Sequence, residues 1–149
     1  MQKIKFLVLT LLVVAVGFTG CKKDDGDDDA KANLVGKWAL TKETWSSTVG
    51  SQAPQTGSDT DFDNDDYVYE FKSDNTYRVT EDGDLEDSGT YSIQNDGKKL
   101  VLNDSNEDQD ENFTIKTLTS SQLVFTYEEI ETEGGVTFKY SGEMTFKKL

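Results

Sequence analysis

The sequence predicts an all-β domain, an antiparallel eight-stranded up-and-down meander that closes into a barrel. From Val35 onward, apolar and polar residues alternate with a period of two, which is typical of strands with one buried and one solvated face. Turn residues punctuate this pattern about every ten positions, so each strand can pair with its neighbour in sequence. Closure is favoured because an open meander would expose two unpaired edges.

The strands follow from this alternation, taken in chain order. They are predicted at Gly36–Trp45, Tyr67–Lys72, Thr76–Glu81, Gly89–Gln94, Lys99–Asn103, Asn112–Leu118, Gln122–Glu128 and Val136–Lys147. Short polar turns such as Ser73-Asp74-Asn75 and Asn95-Asp96-Gly97 are typical of hairpins, and no segment keeps a helical period. The long connection from Ser46 to Asp66 is predicted as a loop. It could also carry a crossover, so a β-sandwich is the alternative fold.

Parity along each strand predicts which side chains face the interior. They are Tyr67, Tyr69, Phe71, Tyr77, Val79, Tyr91, Ile93, Leu100, Leu102, Phe113, Ile115, Leu123, Phe125, Tyr127, Val136, Phe138, Tyr140, Met144 and Phe146. The opposite sides carry mostly Thr, Lys, Glu and Ser. In the first strand, Trp38 and Trp45 have opposite parity, so they are predicted to face different sides.

The composition excludes several functional classes. The 149-residue chain carries a net charge of −14, and removing Lys3 and Lys5 with a signal peptide would leave 13 basic against 29 acidic residues. So acidic a surface repels phosphate backbones, which makes nucleic acid an unsuitable partner. With no histidine and Cys21 as the sole cysteine, Ser-His-Asp and Cys-His catalysis, His-ligated zinc and disulfides are all excluded. A metal site would need oxygen ligands throughout.

The N-terminus has the layout of a bacterial export signal. Lys3 and Lys5 precede an apolar run from Phe6 to Val16, which is shorter than a bilayer-spanning helix. Phe18-Thr19-Gly20-Cys21 resembles the lipobox of bacterial lipoproteins, with Phe18 in place of the usual Leu. That resemblance implies a signal peptide over residues 1–20 and a lipid-bearing Cys21, whose acyl chains would anchor the protein.

The segment after Cys21 is predicted to be a polar tether, over residues 21–33. Its Lys22-Lys23-Asp24-Asp25-Gly26-Asp27-Asp28-Asp29 tract is too polar to fold alone. The tract also resembles the export signal of Bacteroidetes-type surface lipoproteins, in which lysine and acidic residues follow the lipidated cysteine. The resemblance implies an outer-membrane lipoprotein exposed on the cell surface. The periplasmic leaflet is the alternative.

The barrel domain is predicted over residues 34–149 and resembles a known family. Gly36-Lys37-Trp38 is similar to the Gly-x-Trp signature of lipocalins and related calycins, in which the tryptophan plugs the closed end. Two further stretches, Tyr69-Glu70-Phe71 and Ser88-Gly89-Thr90-Tyr91, resemble small lipocalin-like lipoprotein domains. The resemblance implies that Gly36 and Trp38 form the plug. The chain departs from the larger lipocalins by ending on its last strand, and by having Lys147 and Lys148 where an arginine often packs on the plug.

A barrel interior rich in tyrosine suggests a ligand cavity, because aromatic walls with a few polar tips suit small molecules. The candidate ligand-binding residues are Trp45, Tyr69, Phe71, Tyr77, Tyr91, Phe125, Tyr127 and Tyr140. A filled core is the alternative, since an eight-stranded barrel is barely wider than its own side chains. Trp45 is interpreted as a residue of the barrel mouth, with a lone exposed tryptophan as the alternative.

No catalytic pair of carboxylates is evident, so the predicted function is non-enzymatic binding of a small apolar or amphipathic molecule, without a cofactor. The alternative is a surface interaction or accessory protein with a filled barrel. The alternating Asp59, Asp61 and Asp63, with Glu70 further on, form a weak calcium candidate. A solvated acidic loop is the favoured interpretation of that segment, so no metal site is predicted.

Overall fold

The computed structural model describes residues 25–104 and 110–149, which contain one helix and nine strands. The elements are α1 (Asp25–Leu34), β1 (Gly36–Val49), β2 (Gln55–Asp59), β3 (Tyr67–Phe71), β4 (Thr76–Glu81), β5 (Asp84–Gln94), β6 (Lys99–Asp104), β7 (Glu111–Leu118), β8 (Gln122–Glu133) and β9 (Val136–Lys148). The predicted signal peptide and Cys21 lie outside the described residues. Within these residues, no helix is both long and apolar enough to cross a membrane.

Eight of the strands close into an antiparallel barrel, which confirms the predicted fold. Strands β3 to β9 pair consecutively, and β1 pairs with both β3 and β9 to complete the circuit. The sandwich alternative is therefore wrong. The ninth strand, β2, has β1 as its single neighbour among the described strands and lies outside the circuit, in the segment predicted as a loop. Its sequence, Gln-Thr-Gly-Ser-Asp, has no apolar residue that could reveal a strand by alternation.

The barrel has a closed and an open end, set by the alternating strand directions. At the closed end lie the start of β1, the C-terminus and the turns β3–β4, β5–β6 and β7–β8. At the open end lie the turns β4–β5 and β8–β9 and the loop from residue 60 to 66. Since β1, β8 and β9 have 14, 12 and 13 residues against five and six in β3 and β4, the long strands extend past the short ones at the open end.

The core follows the predicted parity through most of the barrel. The buried cluster contains Leu34, Trp38, Leu40, Tyr69, Phe71, Tyr77, Val79, Tyr91, Leu100, Leu102, Phe113, Ile115, Leu123, Phe125 and Phe146. Val136 and Tyr140 were predicted to face the interior and are instead 40% and 41% exposed. They lie on the part of β9 that extends beyond the shorter strands, so parity alone does not bury them.

A β-bulge in β1 overturns the predicted parity of Trp45. Leu40 pairs with Phe146 and Lys42 with Thr145, so Thr41 is the extra residue. Beyond the bulge, Glu43 pairs with Met144 on β9 and Trp45 with Gly142, and both β9 positions share the face of Phe146. Trp45 therefore lies on the same face as Trp38, because one inserted residue reverses the alternation.

Helix α1 covers the closed end, where a polar tether was predicted. Asp27 Oδ1 accepts a hydrogen bond of 2.6 Å from the Gly97 amide in the β5–β6 turn, and the fully buried Leu34 joins the barrel core. Short helices are marginal on their own, so contacts with the barrel stabilise this one. The prediction of a tether over residues 21–33 thus differs from the structure at residues 25–33, which belong to the docked helix α1.

The closed end is sealed around Trp38, which is fully buried. Its indole Nε1 donates a 2.7 Å hydrogen bond to the Leu34 carbonyl at the end of α1. Lys148 lies over the ring, with Nζ 4.9 Å from the centroid, and donates to the Asn33 carbonyl. Gly36 has a φ of 137°, and a Cβ there would come within 2.6 Å of Lys148 Cε. The structure thus places both predicted plug residues at the closed end, beneath a lysine.

Candidate functional site

Two adjoining pockets occupy the open end of the barrel. The first, of about 530 Å³, is lined by Leu40, Glu43, Asp61, Phe62, Asp66, Tyr67, Glu81, Asp82 and Met144. The second, of about 790 Å³, is lined by Tyr67, Tyr69, Asp110, Glu111, Asn112, Phe113, Tyr127, Glu128, Glu129, Ile130, Glu131 and Met144. Both volumes lie in the range of small-molecule sites, roughly 300–1,000 Å³. Tyr67 and Met144 line both pockets, so the two pockets form one continuous opening, here called the mouth.

The floor of the mouth is apolar. Tyr67 is the first residue of β3 and Met144 faces inward from β9, and both are half-buried against the core. Phe62, from the loop before β3, packs on the same cluster. Below the floor, Tyr69 meets the Tyr67 ring edge-on, with centroids 5.8 Å apart. The floor of the pockets therefore consists of side chains that pack directly on the hydrophobic core.

The rim of the mouth is acidic. Each pocket is lined by five carboxylate side chains, and none of the described residues lining either one is lysine or arginine. Within the second pocket, Glu128 forms an ion pair of 2.8 Å with Lys139. The mouth therefore combines an apolar floor with a strongly negative rim.

Two phenol–carboxylate hydrogen bonds lie on the inner face of the barrel, and the first of them is at the mouth. The bulge in β1 turns Glu43 inward, where its Oε1 accepts from the Tyr127 hydroxyl at 3.2 Å. Asp87 pairs with Val79, which places it on the inner face, and its Oδ2 accepts from the Tyr77 hydroxyl at 2.5 Å. The second carboxylate oxygen of Asp87 is buried and has no hydrogen-bond partner among the described residues.

The tyrosines near the mouth have raised pKa values. Burial is the main cause for Tyr67, and the charges of Glu111, Glu81 and Asp87 raise its pKa further. The pKa of Tyr77 is raised by burial and then by its bond to Asp87. Burial and nearby negative charge both disfavour a phenolate. The phenols therefore stay neutral donors at physiological pH.

Gly142 lets the Tyr127 ring lie flat on the inner face of β9. A Cβ at this position would come within 2.5–2.6 Å of the Tyr127 ring and hydroxyl. Since the same phenol donates to Glu43, the glycine helps to fix one wall of the second pocket.

The loop before β3 is held by its own aspartates. Asp59 Oδ1 accepts from the Asp61 amide, and Asp66 Oδ2 accepts from the Asp63 amide, at 2.9 and 2.7 Å. These bonds form local turns of the kind that Asp favours. In the part of the chain that the structure describes, no three acidic side chains are grouped so as to hold a metal ion, and the weak calcium candidate at Asp59, Asp61 and Asp63 is not assembled. Glu70, the fourth residue considered for calcium, lies within β3, where it is the register partner of Lys37 on β1 and Arg78 on β4.

The structure brings only two of the eight candidate ligand-binding residues to the mouth, Tyr69 and Tyr127. Phe71, Tyr77, Tyr91 and Phe125 are packed in the core, where Phe71 meets Tyr91 edge-on at 5.2 Å. Trp45 and Tyr140 are each 41% exposed and line neither pocket. These core side chains fill the part of the barrel towards its closed end, and both pockets described above lie towards the open end.

Sequence reasoning missed several residues of the mouth. Leu40, Glu43 and Phe62 were not predicted to face the interior. Tyr67, Phe113 and Met144 were predicted to face it but were not among the candidate ligand-binding residues. Phe62 could have been recognised from the sequence, because a lone aromatic residue in an acidic loop indicates packing against the barrel. Glu43 had none, because its inward direction depends on the bulge at Thr41.

Comparison with known protein families matches residues 34–125 to the lipocalin-like domain. The matched region begins at the end of α1 and extends into β8, which is more than half of the chain. It contains the plug at the closed end and most of the mouth. A search of curated proteins finds no match to this chain.

Proposed function

The chain belongs to the lipocalin-like domain family, and on that basis we propose that it binds a small apolar or amphipathic molecule, without catalysis, in the mouth of its barrel. The observation that carries the proposal is the apolar floor shared by both pockets, formed by Tyr67 and Met144. Apolar surface transferred from water onto such a floor contributes about 25 cal/mol per Å².

The position of the floor limits the size of the ligand. Below it the core is filled by stacked aromatics, with Tyr69 and Phe71 centroids 5.8 Å apart. A ligand therefore inserts an apolar end between the long and short strands and keeps its polar end at the acidic rim. This arrangement favours an amphipathic molecule over a wholly apolar one.

A binding role is proposed in preference to an enzymatic one. The mature sequence offers neither histidine nor a free thiol for nucleophilic or general-base chemistry. The inner-face carboxylates Glu43 and Asp87 each accept a hydrogen bond from a neutral phenol, which is a structural role.

A second candidate function is that of a surface interaction or accessory protein. The core is filled towards the closed end by aromatic side chains, namely Phe71, Tyr77, Tyr91 and Phe125. Trp45 and Tyr140 are exposed on the same face of β1 and β9, where these strands extend at the open end. Exposed aromatics on one face suit a protein partner. In that case the mouth would hold no small molecule.

We further propose that Cys21 carries the lipid anchor and that the protein is an outer-membrane lipoprotein exposed on the cell surface, with the periplasmic leaflet as the alternative. The support is the signal-like layout of residues 1–20, the lipobox resemblance and the Lys-Asp tract that follows. No nucleic acid and no cofactor is part of the proposal.

Met144 offers a direct test of binding at the mouth. The chain has two methionines, Met1 and Met144, so signal cleavage would leave Met144 as the single methionine. Its methyl group lies at the floor of both pockets. We expect 1-decanol, added to the methyl-¹³C-methionine-labelled lipoprotein in phosphatidylcholine nanodiscs, to shift this resonance saturably and with one-to-one stoichiometry. Empty nanodiscs measure the alcohol that partitions into lipid.

Two matched tyrosine variants locate the site. Tyr67→Ala removes a side chain that lines both pockets, so it should weaken decanol binding clearly. Tyr140→Ala removes an exposed phenol outside them and should leave binding unchanged. A Met144 resonance that does not respond to decanol in the folded protein would reject the binding function and favour the interaction protein.

A further inference from the structure

We propose that the ligand of this mouth is a cationic amphiphile, an apolar chain that ends in an ammonium or a similar positive group. The inference rests on the proposed binding function and names its ligand class. It is carried by one juxtaposition: an apolar floor enclosed by a rim that contains carboxylates and no basic side chain among its described lining residues.

The first pocket shows the arrangement most clearly. Leu40, Phe62 and Met144 form its apolar surface, and all three belong to or pack against the core. Its rim consists of Glu43, Asp61, Asp66, Glu81 and Asp82. A ligand whose chain lies on this floor must place its head group among these carboxylates.

The negative potential reaches into the barrel as well as around its rim. Glu43 and Asp87 point inward from β1 and β5, and a phenol hydroxyl donates to each. One oxygen of Asp87 is buried without a partner in the described chain. The charges of Glu111, Glu81 and Asp87 also raise the pKa of Tyr67, a floor residue. Asp87 itself lines neither pocket, so it adds to the negative potential of the barrel without being part of the site.

The aromatic floor suits a cation as well as an apolar chain. Tyr67 and Tyr69 line the second pocket, and their rings meet edge-on. Ammonium groups are attracted to aromatic faces within about 6 Å. A fatty acid or another anionic amphiphile would instead bring a like charge to the same rim, which is unfavourable in a partly dehydrated site.

The described rim carboxylates are not arranged as the ligands of a bare divalent cation. No group of three acidic side chains is positioned for a metal within residues 25–104 and 110–149. Rim carboxylates that are spread around an apolar floor match a single positive charge attached to an apolar body. They do not match the compact oxygen shell that Ca²⁺ requires.

The experiment compares three ten-carbon ligands that differ in head-group charge: decyltrimethylammonium, 1-decanol and decyl sulfate. Each is titrated below its micelle concentration into the processed lipoprotein in phosphatidylcholine nanodiscs, with the Met144 methyl resonance as the readout. We expect decyltrimethylammonium to reach half-saturation at a concentration about tenfold below that of decyl sulfate, because several partly exposed charge contacts add up to such a factor. The ratio should shrink at high salt, which screens these contacts.

A pair of double variants tests the rim itself. Glu43→Gln with Glu81→Gln removes two rim charges and keeps the side-chain shapes, so the preference for the cation should fall several-fold. Glu86→Gln with Asp96→Asn removes two exposed charges that line neither pocket, and the preference should remain. This control separates the local rim from the overall charge of the chain.

The outcomes distinguish the two proposals. Decanol binding with equal affinity for cation and sulfate overturns the cationic ligand and leaves the binding function standing. Equal losses in both double variants assign the preference to net charge and also overturn it. If none of the three ligands shifts Met144, the binding function fails and the cationic ligand fails with it.

Discussion

Trp38 has the contacts of a large core aromatic whose polar atom is satisfied. It is fully buried, donates to Leu34 and lies beneath Lys148. We expect Trp38→Ala to lower the free energy of unfolding by about 3–5 kcal/mol, because it removes a buried aromatic and leaves a cavity. Trp45→Ala should cost much less, since Trp45 is 41% exposed and its ring lies against Gly57 at the edge hairpin. Urea denaturation of both variants measures the difference, and equal losses would show that the plug is wrongly assigned.

The buried phenols make the fold sensitive to alkali. The pKa of each of Tyr67, Tyr69, Tyr77, Tyr91 and Tyr127 is raised above 10.0, with burial as the main cause. Stability from these groups is fully present below pH 10, where the unfolded chain keeps its phenols protonated. It is lost as the pH rises further, because only the unfolded chain ionises readily. We expect the tyrosinate absorbance of these five residues to appear together with loss of the fold, and their ionisation in a folded barrel near pH 10 would contradict this.

At the level of single residues, parity predicted the core and the aromatic strand residues of the mouth, and it failed at Glu43. Tyr69, Leu102, Phe125 and Phe146 are all buried as the alternation indicates. Glu43 faces inward only because of the bulge at Thr41. A bulge arises from the pairing of strands far apart in sequence, so local alternation contains no trace of it.

At the level of elements, helix α1 was not predicted because its sequence is almost entirely polar. The sequence Asp-Gly-Asp-Asp-Asp-Ala-Lys-Ala-Asn-Leu has one large apolar side chain, Leu34, and that residue is fully buried. The helix is therefore positioned by a few tertiary contacts, among them the Asp27 to Gly97 hydrogen bond. Strand β2 is similar, since its backbone pairs with β1 although its side chains are exposed or half-buried. Neither element has a periodic pattern that sequence reasoning could recognise.

Leu34 links α1 to the barrel, so its truncation tests the helix. We expect Leu34→Ala to destabilise the protein by about 2–5 kcal/mol, as for other fully buried leucines. Asn33→Ala changes the preceding exposed side chain and keeps the backbone carbonyl that accepts from Lys148, so it should cost far less. Amide exchange of residues in α1 provides a second measurement. If Leu34→Ala leaves both stability and exchange unchanged, the helix is not docked as described.

At the level of the whole molecule, the closed barrel has a packed end and an end that contains the pockets. The closed end holds α1, Trp38 and Lys148, and the open end holds the acidic mouth. The sequence predicted the closed circuit because each strand pairs with its neighbour. It did not predict the depth of the mouth, which depends on how far β1, β8 and β9 extend beyond β3 and β4.

The proposed anchor gives a prediction for the whole chain. Cys21 offers the sole thiol in the sequence for lipid attachment. We expect Cys21→Ser to yield a protein that is either left unprocessed or released in soluble form, and detergent phase partition with mass spectrometry distinguishes these from the lipidated protein. Unchanged partition and unchanged processing would reject the lipoprotein assignment.

The anchor and the docked helix together predict how the barrel is oriented on a membrane. Cys21 precedes Asp25 by four residues, a reach of at most about 14 Å even when extended. Since α1 lies at the closed end, the proposed lipid on Cys21 would hold that end near the bilayer. The acidic mouth would then face away from it, which would also keep its carboxylates clear of anionic head groups.

Two single-cysteine labels test this orientation in the lipidated protein. Ser120 lies in the β7–β8 turn at the closed end, and Asp84 begins β5 at the open end, and both are exposed. Cys21 would be blocked by its thioether, so Ser120→Cys and Asp84→Cys can each be labelled selectively with the same fluorophore. On vesicles that contain head-group spin-labelled lipid, we expect strong quenching at position 120 and weak quenching at position 84, because the two ends lie on opposite sides of the barrel. Equal or reversed quenching would mean that α1 releases the barrel from its docked position when the protein is anchored.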